Sequence, residues 1–88
     1  MVRKEFTIKN RLGLHARAAA QMVKTANRFR SEISIEKEGI EVNGKSIMGL
    51  LMLAAPQGSR ISVSATGTDA EESLIAIGQL IDDGFGEE

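Results

Sequence analysis

The chain has 88 residues, 42% hydrophobic and 26% charged, with a net charge of −1, one histidine, no cysteine and three aromatic residues, all Phe. That length holds a single domain, 1–88, with a modest core, and the composition excludes a disordered chain, a disulfide framework and thiolate chemistry. It also lacks the basic face or stacking aromatics of a nucleic-acid binder, so no nucleic acid is expected as a partner. Met1–Glu5 has no apolar stretch of the kind a signal peptide needs, and no apolar run approaches spanning length, so a soluble, cytoplasmic protein without membrane insertion is expected.

The chain opens with a strand in which Phe6 and Ile8 alternate with Glu5, Thr7 and Lys9, the period of a strand with one buried face. Asn10 to Gly13 reads as a loop. A helix follows from about Ala16 to Asn27, with Ala19, Met22, Val23 and Ala26 as its core stripe. Beside that stripe run Ala16, Ala20, Lys24 and Asn27, whose two small apolar residues would let another surface come close to the helix start.

That helix start carries the chemistry. His15 stands where a cap would stand, after Gly13 and before an alanine-rich run, with Arg17 two residues on. The first turn of a helix has N–H groups without intrahelical partners and a partial positive charge, which together bind anions. A neutral imidazole is a competent nucleophile near neutral pH, and a guanidinium offers a planar fork of donors to a phosphoryl group. Taken singly, His15 also reads as a plain cap and Arg17 as a solvated charge. Together they form a compact arrangement for handling phosphate.

Phe29 is expected to close the core under the helix end. Glu32–Glu36 alternates as a second strand, Lys37-Glu38-Gly39 turns into Ile40-Glu41-Val42, and Asn43-Gly44 turns the chain again, so these two strands must be antiparallel. Lys45–Ala55 is apolar nearly all round, with Ser46 as an N-cap and Pro56 with Gly58 as its end, and fits a short helix. Leu50 and Leu53 should face the core; Ile47, Met48 and Leu51 or Met52 then stay partly exposed as a protein docking patch, or the segment is simply a buried helix with imperfect amphipathicity. Arg60–Thr66 is the last strand, with Ile61, Val63 and Ala65 inward. Thr68 or Asp69 should cap a final helix through a capping box with Glu71 or Glu72. Ala70, Leu74, Ile77 and Ile81 form its buried stripe, and Gly84 is its terminator. Asp82, Asp83, Glu87 and Glu88 read as solvated tail charges.

The order β-α-β-β-α-β-α predicts an α+β fold, an open-faced two-layer sandwich whose four-stranded antiparallel sheet is covered on one side by three helices. One histidine, no cysteine and no clustered carboxylates beside it leave too few groups for a metal enzyme or free-standing hydrolase, so no metal or cofactor is expected. A small protein-binding regulatory module without phosphotransfer, in which His15 is incidental, is the alternative of another class.

Gly13-Leu14-His15-Ala16-Arg17 resembles the active-site signature of HPr, the histidine-containing phosphocarrier family of the bacterial phosphoenolpyruvate-dependent sugar phosphotransferase system. Lys45-Ser46-Ile47-Met48-Gly49 resembles that family's regulatory serine segment, and the likeness runs from Glu5 to about Ile81. The resemblance implies a phosphoryl carrier rather than a complete enzyme. His15 would be phosphorylated on Nδ1 by enzyme I and pass the group to IIA domains of sugar permeases, with Arg17 and the N–H groups of Ala16 and Arg17 holding the phosphate. It further implies Ser46 as the target of HPr kinase/phosphorylase. Docking is expected through Ala16, Ala20, Lys24, Asn27, Ile47, Met48 and Leu51, and a monomer is the default, although the apolar second helix could support a weak dimer. The chain departs from the family at Ala18, where proline is usual; altered rigidity and rate with retained chemistry are expected. Leu50-Leu51-Met52-Leu53 and Asp83-Gly84-Phe85 are similar to the nitrogen-branch paralogue NPr, so an NPr-like carrier is the alternative within the family.

Overall fold

The computed structural model describes residues 1–87. Its elements are β1 (Val2–Thr7), α1 (Ala16–Ala26), β2 (Glu32–Lys37), β3 (Ile40–Asn43), α2 (Ile47–Leu53), β4 (Arg60–Thr66) and α3 (Ala70–Asp82), followed by a short turn at Gly84–Gly86. The expected order is present in full. The sheet runs β1-β4-β2-β3 and every pairing is antiparallel.

Register follows from the period-two pattern. Phe6 faces Ile61, Ile35 faces Val63 and Ile33 faces Ala65, so one sheet face is a continuous apolar layer. The opposite face pairs Glu5 with Ser62 and Ser34 with Ser64, and there Arg3 bonds Glu36 and Arg60 bonds Glu5. A sheet polar on one side and apolar on the other needs covering on one side only, which gives the open face. The helices supply that cover through Ala18, Ala19, Met22 and Ala26 of α1, Leu50 and Leu53 of α2, and Ala70, Leu74, Ile77 and Ile81 of α3. Ala18 is fully buried, so the position at which the family usually has proline belongs to the core face of α1.

The β2–β3 turn places Glu38 and Gly39 at φ 52° and 85°, two successive left-handed residues that match the twist of a tight hairpin. Gly78 lets α3 settle on the sheet, because a Cβ there would lie 2.7 Å from the Phe6 ring.

Two local expectations are corrected. Phe29 does not close the core. Its N–H bonds Ala26 in a turn that carries the chain away from α1, the ring is half-buried with the Arg28 guanidinium 5.5 Å from its centroid, and Lys45 takes its carbonyl. The capping box of α3 does not form either. Asp69 is the N-cap residue but its carboxylate makes no cap bond. It accepts instead from the backbone N–H groups of Arg30 and Ser31 at 2.9 and 3.0 Å and from the Ser31 hydroxyl at 2.5 Å. Three donors across the fold outcompete the helix's own N–H groups. Gly67 permits that close approach, since a Cβ there would lie 2.6 Å from Ser31 Oγ.

The Ser31 hydroxyl, then the Arg30 N–H, hold the Asp69 carboxyl below its ordinary value of 3.8. A carboxyl lowered on folding stabilises the protein above the unfolded-state value, and that contribution fades as pH falls through the folded one. Asp69→Asn is therefore expected to lower the urea midpoint at pH 7, and the gap from the wild type should narrow at pH 2.5. A gap of equal size at both values would contradict the assignment.

Candidate functional site

The site is built on the loop between β1 and α1. Ile8 bonds Ser59 and Gly58 through its backbone, and Leu14 N–H donates to Ala55 at 2.8 Å, so the loop is tied to the segment after α2 at both ends. Gly13, at φ 69°, passes directly against that segment. A Cβ on it would fall 2.5 Å from the Ala55 carbonyl oxygen and 2.8 Å from Pro56 Cα. With Leu14 buried, the next residue is directed to the surface at the start of α1.

That residue, His15, is the N-cap of α1, with extended backbone at φ −84° and ψ −177°. Its Nδ1 accepts the N–H of Arg17 at 3.3 Å, the bond a serine or aspartate would normally make at this position. An atom that accepts carries its lone pair, so the neutral ring holds its proton on Nε2. Nε2 in turn lies 2.5 Å from Glu87 Oε2. The second oxygen of Glu87 accepts from Asn10 Nδ2 at 2.9 Å, and the same amide donates to Gly13 at 2.7 Å. The loop, the helix start and the segment after α3 thus meet at one side chain.

Glu87 is a correction to the solvated tail expected from the sequence. Its side chain is 15% exposed, and its carboxyl is held below the usual carboxylate value by the Asn10 hydrogen bond first, opposed by desolvation, then by the hydrogen bond and charge of His15 and by Arg17. Asp82 and Asp83 are exposed as expected, and Glu88 lies outside the described residues. Gly84, Phe85 and Gly86 have φ of 63°, 58° and 75°, a left-handed turn that aims the Phe85 ring into the core, where it is 1% exposed. The ring anchors the tail and so places Glu87. Gly-Phe-Gly directly after a helix was the available signal for this; Asn10, buried and polar, gave none.

The other expected residues fall as follows. Arg17 is exposed on the first turn of α1 and lines, with Arg11, Leu12, His15 and Glu87, a shallow open depression. Ala16, Ala20, Lys24 and Asn27 are all exposed along α1. Ser46 caps α2 by accepting the Gly49 N–H at 3.0 Å, and its hydroxyl makes no bond to the surroundings of His15. Ile47, Met48, Leu51 and Met52 are exposed, Met48 by 71% and Met52 by 77%. Because α1 packs against α2, the two exposed sets share one side of the molecule. No helix among the described residues is long and apolar enough to cross a membrane.

The family model described as the PTS HPr component phosphorylation site matches residues 2–83. The phosphocarrier protein HPr of Neisseria meningitidis serogroup B is 46% identical over 99% of this chain and 98% of its own. Among solved structures, HPr-C-His from Thermoanaerobacter tengcongensis superimposes with a TM-score of 0.97 at 48% identity, covering 100% of this chain and 99% of that one. The HPr dimer from the same organism gives 0.80 at 47%, covering 99% and 100%. Fold and relatives together define a phosphocarrier domain. The chain belongs to the HPr family. A dimer occurs among these relatives, so membership gives no support to the monomer expected from the sequence.

Gly13→Ala tests the loop. A left-handed alanine alone costs about 1–2 kcal/mol, and the backbone clash adds to it, so we expect a loss of at least about 2 kcal/mol, read as roughly 8 °C or more in Tm.

Proposed function

We propose that His15 Nδ1 is the phosphoryl acceptor and donor of this carrier. The observation that carries the reading is the contact of Nδ1 with the Arg17 N–H at the start of α1. The nucleophilic lone pair points at the Arg17 N–H in the first turn of α1, so a phosphoryl group arriving on Nδ1 would replace a long hydrogen bond and meet a donor already in place. Ala16 and Arg17 supply the N–H groups, and the Arg17 guanidinium supplies the neutralising charge. The depression is open, and α1 beside it exposes the small Ala16 and Ala20, which suits transfer between proteins, where a deep pocket would obstruct the partner.

In this reading the donor is enzyme I, charged from phosphoenolpyruvate, and the acceptors are IIA domains of sugar permeases. They dock on Ala16, Ala20, Lys24 and Asn27 of α1 and on Ile47, Met48 and Leu51 of α2. The chain supplies the nucleophile and the partners complete each transfer site, so it acts as a carrier with a covalent intermediate in the cytoplasm. HPr kinase/phosphorylase acts on Ser46. A phosphate there stands beside exposed Ile47 and Met48, in the middle of the docking face, where it must be desolvated against the partner; the start of α2 itself tolerates the charge.

Incubation with enzyme I and phosphoenolpyruvate should add one acid-labile phosphoryl group by intact mass, absent in His15→Ala. No addition to the folded wild type by an active enzyme I would remove the reading in favour of a binding module. Ser46→Asp should slow uptake from enzyme I roughly tenfold or more, the rate effect of about 1.4 kcal/mol, with Tm nearly unchanged; an unaltered rate would count against the role given to Ser46.

A further inference from the structure

We propose that Glu87 is a positioning residue for the phosphoryl transfer, holding the His15 proton on Nε2 so that only Nδ1 reacts and the phosphorylated ring stays protonated; this rests on the reading of His15 as the phosphoryl acceptor. Three observations carry it. Both ring nitrogens are engaged, Nδ1 by an N–H that can only donate and Nε2 by a carboxylate that, ionised, can only accept. The carboxylate is held in turn by Asn10, whose amide also grips the Gly13 carbonyl of the same loop. Its backbone is anchored two residues away by the buried, left-handed Phe85. A solvated tail residue would need none of these supports.

The chemistry balances without any proton leaving the ring. When the Nδ1 lone pair forms the N–P bond, the donor's bond to phosphorus breaks and its electron pair leaves with the donor. The ring is then a phosphoimidazolium whose proton remains on Nε2, and its positive charge faces the Glu87 carboxylate. In onward transfer the N–P bond breaks, its pair returns to Nδ1, and the neutral ring is restored with the same proton. A neutral imidazole leaves far more readily than an imidazolate, so keeping that proton keeps the group transferable. Arg11 and Arg17 are the cations lining this depression, and Glu87 is its one carboxylate among the described residues. On the far side of Glu87 lie Asp83 and the Lys9–Asp82 pair, 3.5 Å apart. Occupied by Glu87, Nε2 is also closed to phosphorylation.

The test uses the full chain and phosphoramidate, a small donor that needs no protein docking, on wild type, Glu87→Gln and Glu87→Ala, each checked for an unchanged fold by circular dichroism. Phosphorylated nitrogen and tautomer are read by 15N NMR of His15, and hydrolysis of the phosphorylated protein is followed from pH 5 to 9. We expect the wild type to carry the group on Nδ1 alone. Glu87→Gln should keep that choice, since it still offers an acceptor, yet move the hydrolysis profile toward acid by about one pH unit. Glu87→Ala should show the same displacement and a measurable Nε2-phosphorylated fraction. Unchanged profiles and regiochemistry in Glu87→Ala would overturn the proposal, as would faster loading of the variants, which would make Glu87 an obstruction. Failure of enzyme I to load the wild type is a separate result that strikes the transfer reading, and the NMR tautomer of the unloaded ring reports on Glu87 in either case.

Discussion

A helix start needs hydrogen-bond acceptors for its first N–H groups, and here the acceptor is an imidazole. Serine or aspartate at the same place would close the turn equally well. Histidine closes it with an atom that is also a nucleophile, which lets one contact stabilise α1 and aim a reactive lone pair. The remaining features of the site follow from that constraint. Gly13 must pass against Ala55 and Pro56 to bring His15 to the helix end, Leu14 must be buried to turn it outward, and the small exposed residues of α1 keep the approach open.

The contrast with Ser46 sharpens the point. It caps α2 by the ordinary route, a hydroxyl accepting the N–H three residues on. The two packed helices therefore begin with two different caps, one that would carry phosphate on nitrogen in the proposed cycle and one that would receive it on oxygen. Each modification would act at a helix start, where unpaired N–H groups and the helix dipole favour negative charge. In that reading a charge at either start is favoured by the helix it caps.

Much of this was legible in the chain. Strands with a period of two and helices with apolar stripes produced the element order, and Ile61, Val63, Ala65, Leu50, Leu53, Ile77 and Ile81 stand inward as the patterns require. Those signals are local, set by neighbours within a few residues. What failed was non-local. Asp69 abandons its own helix for donors near residue 30, and Phe29 is held away from the core by a turn and two cationic side chains. Glu87 reads as one of several acidic tail residues until Phe85 is seen to anchor the segment, and no spacing rule links residue 87 to residue 15. The proposed nucleophile stands in a contiguous motif, so it could be singled out from the sequence. Its carboxylate partner was hidden by a sequence separation of 72 residues.

That separation has a consequence for the order in which the chain becomes competent. Synthesis delivers Gly13, His15 and Arg17 early, but β1 pairs only with β4, and the ring meets its carboxylate only after the left-handed turn beyond α3 has packed. A nascent chain not yet made as far as Glu87 has the histidine without that contact. Closing so long a loop comes late in folding, because its entropy must be lost before its contacts can offset it. Completion of the site therefore waits on the segment after α3, and removing the Glu87 side chain alone would leave Phe85 in the core while taking the carboxylate away from the imidazole.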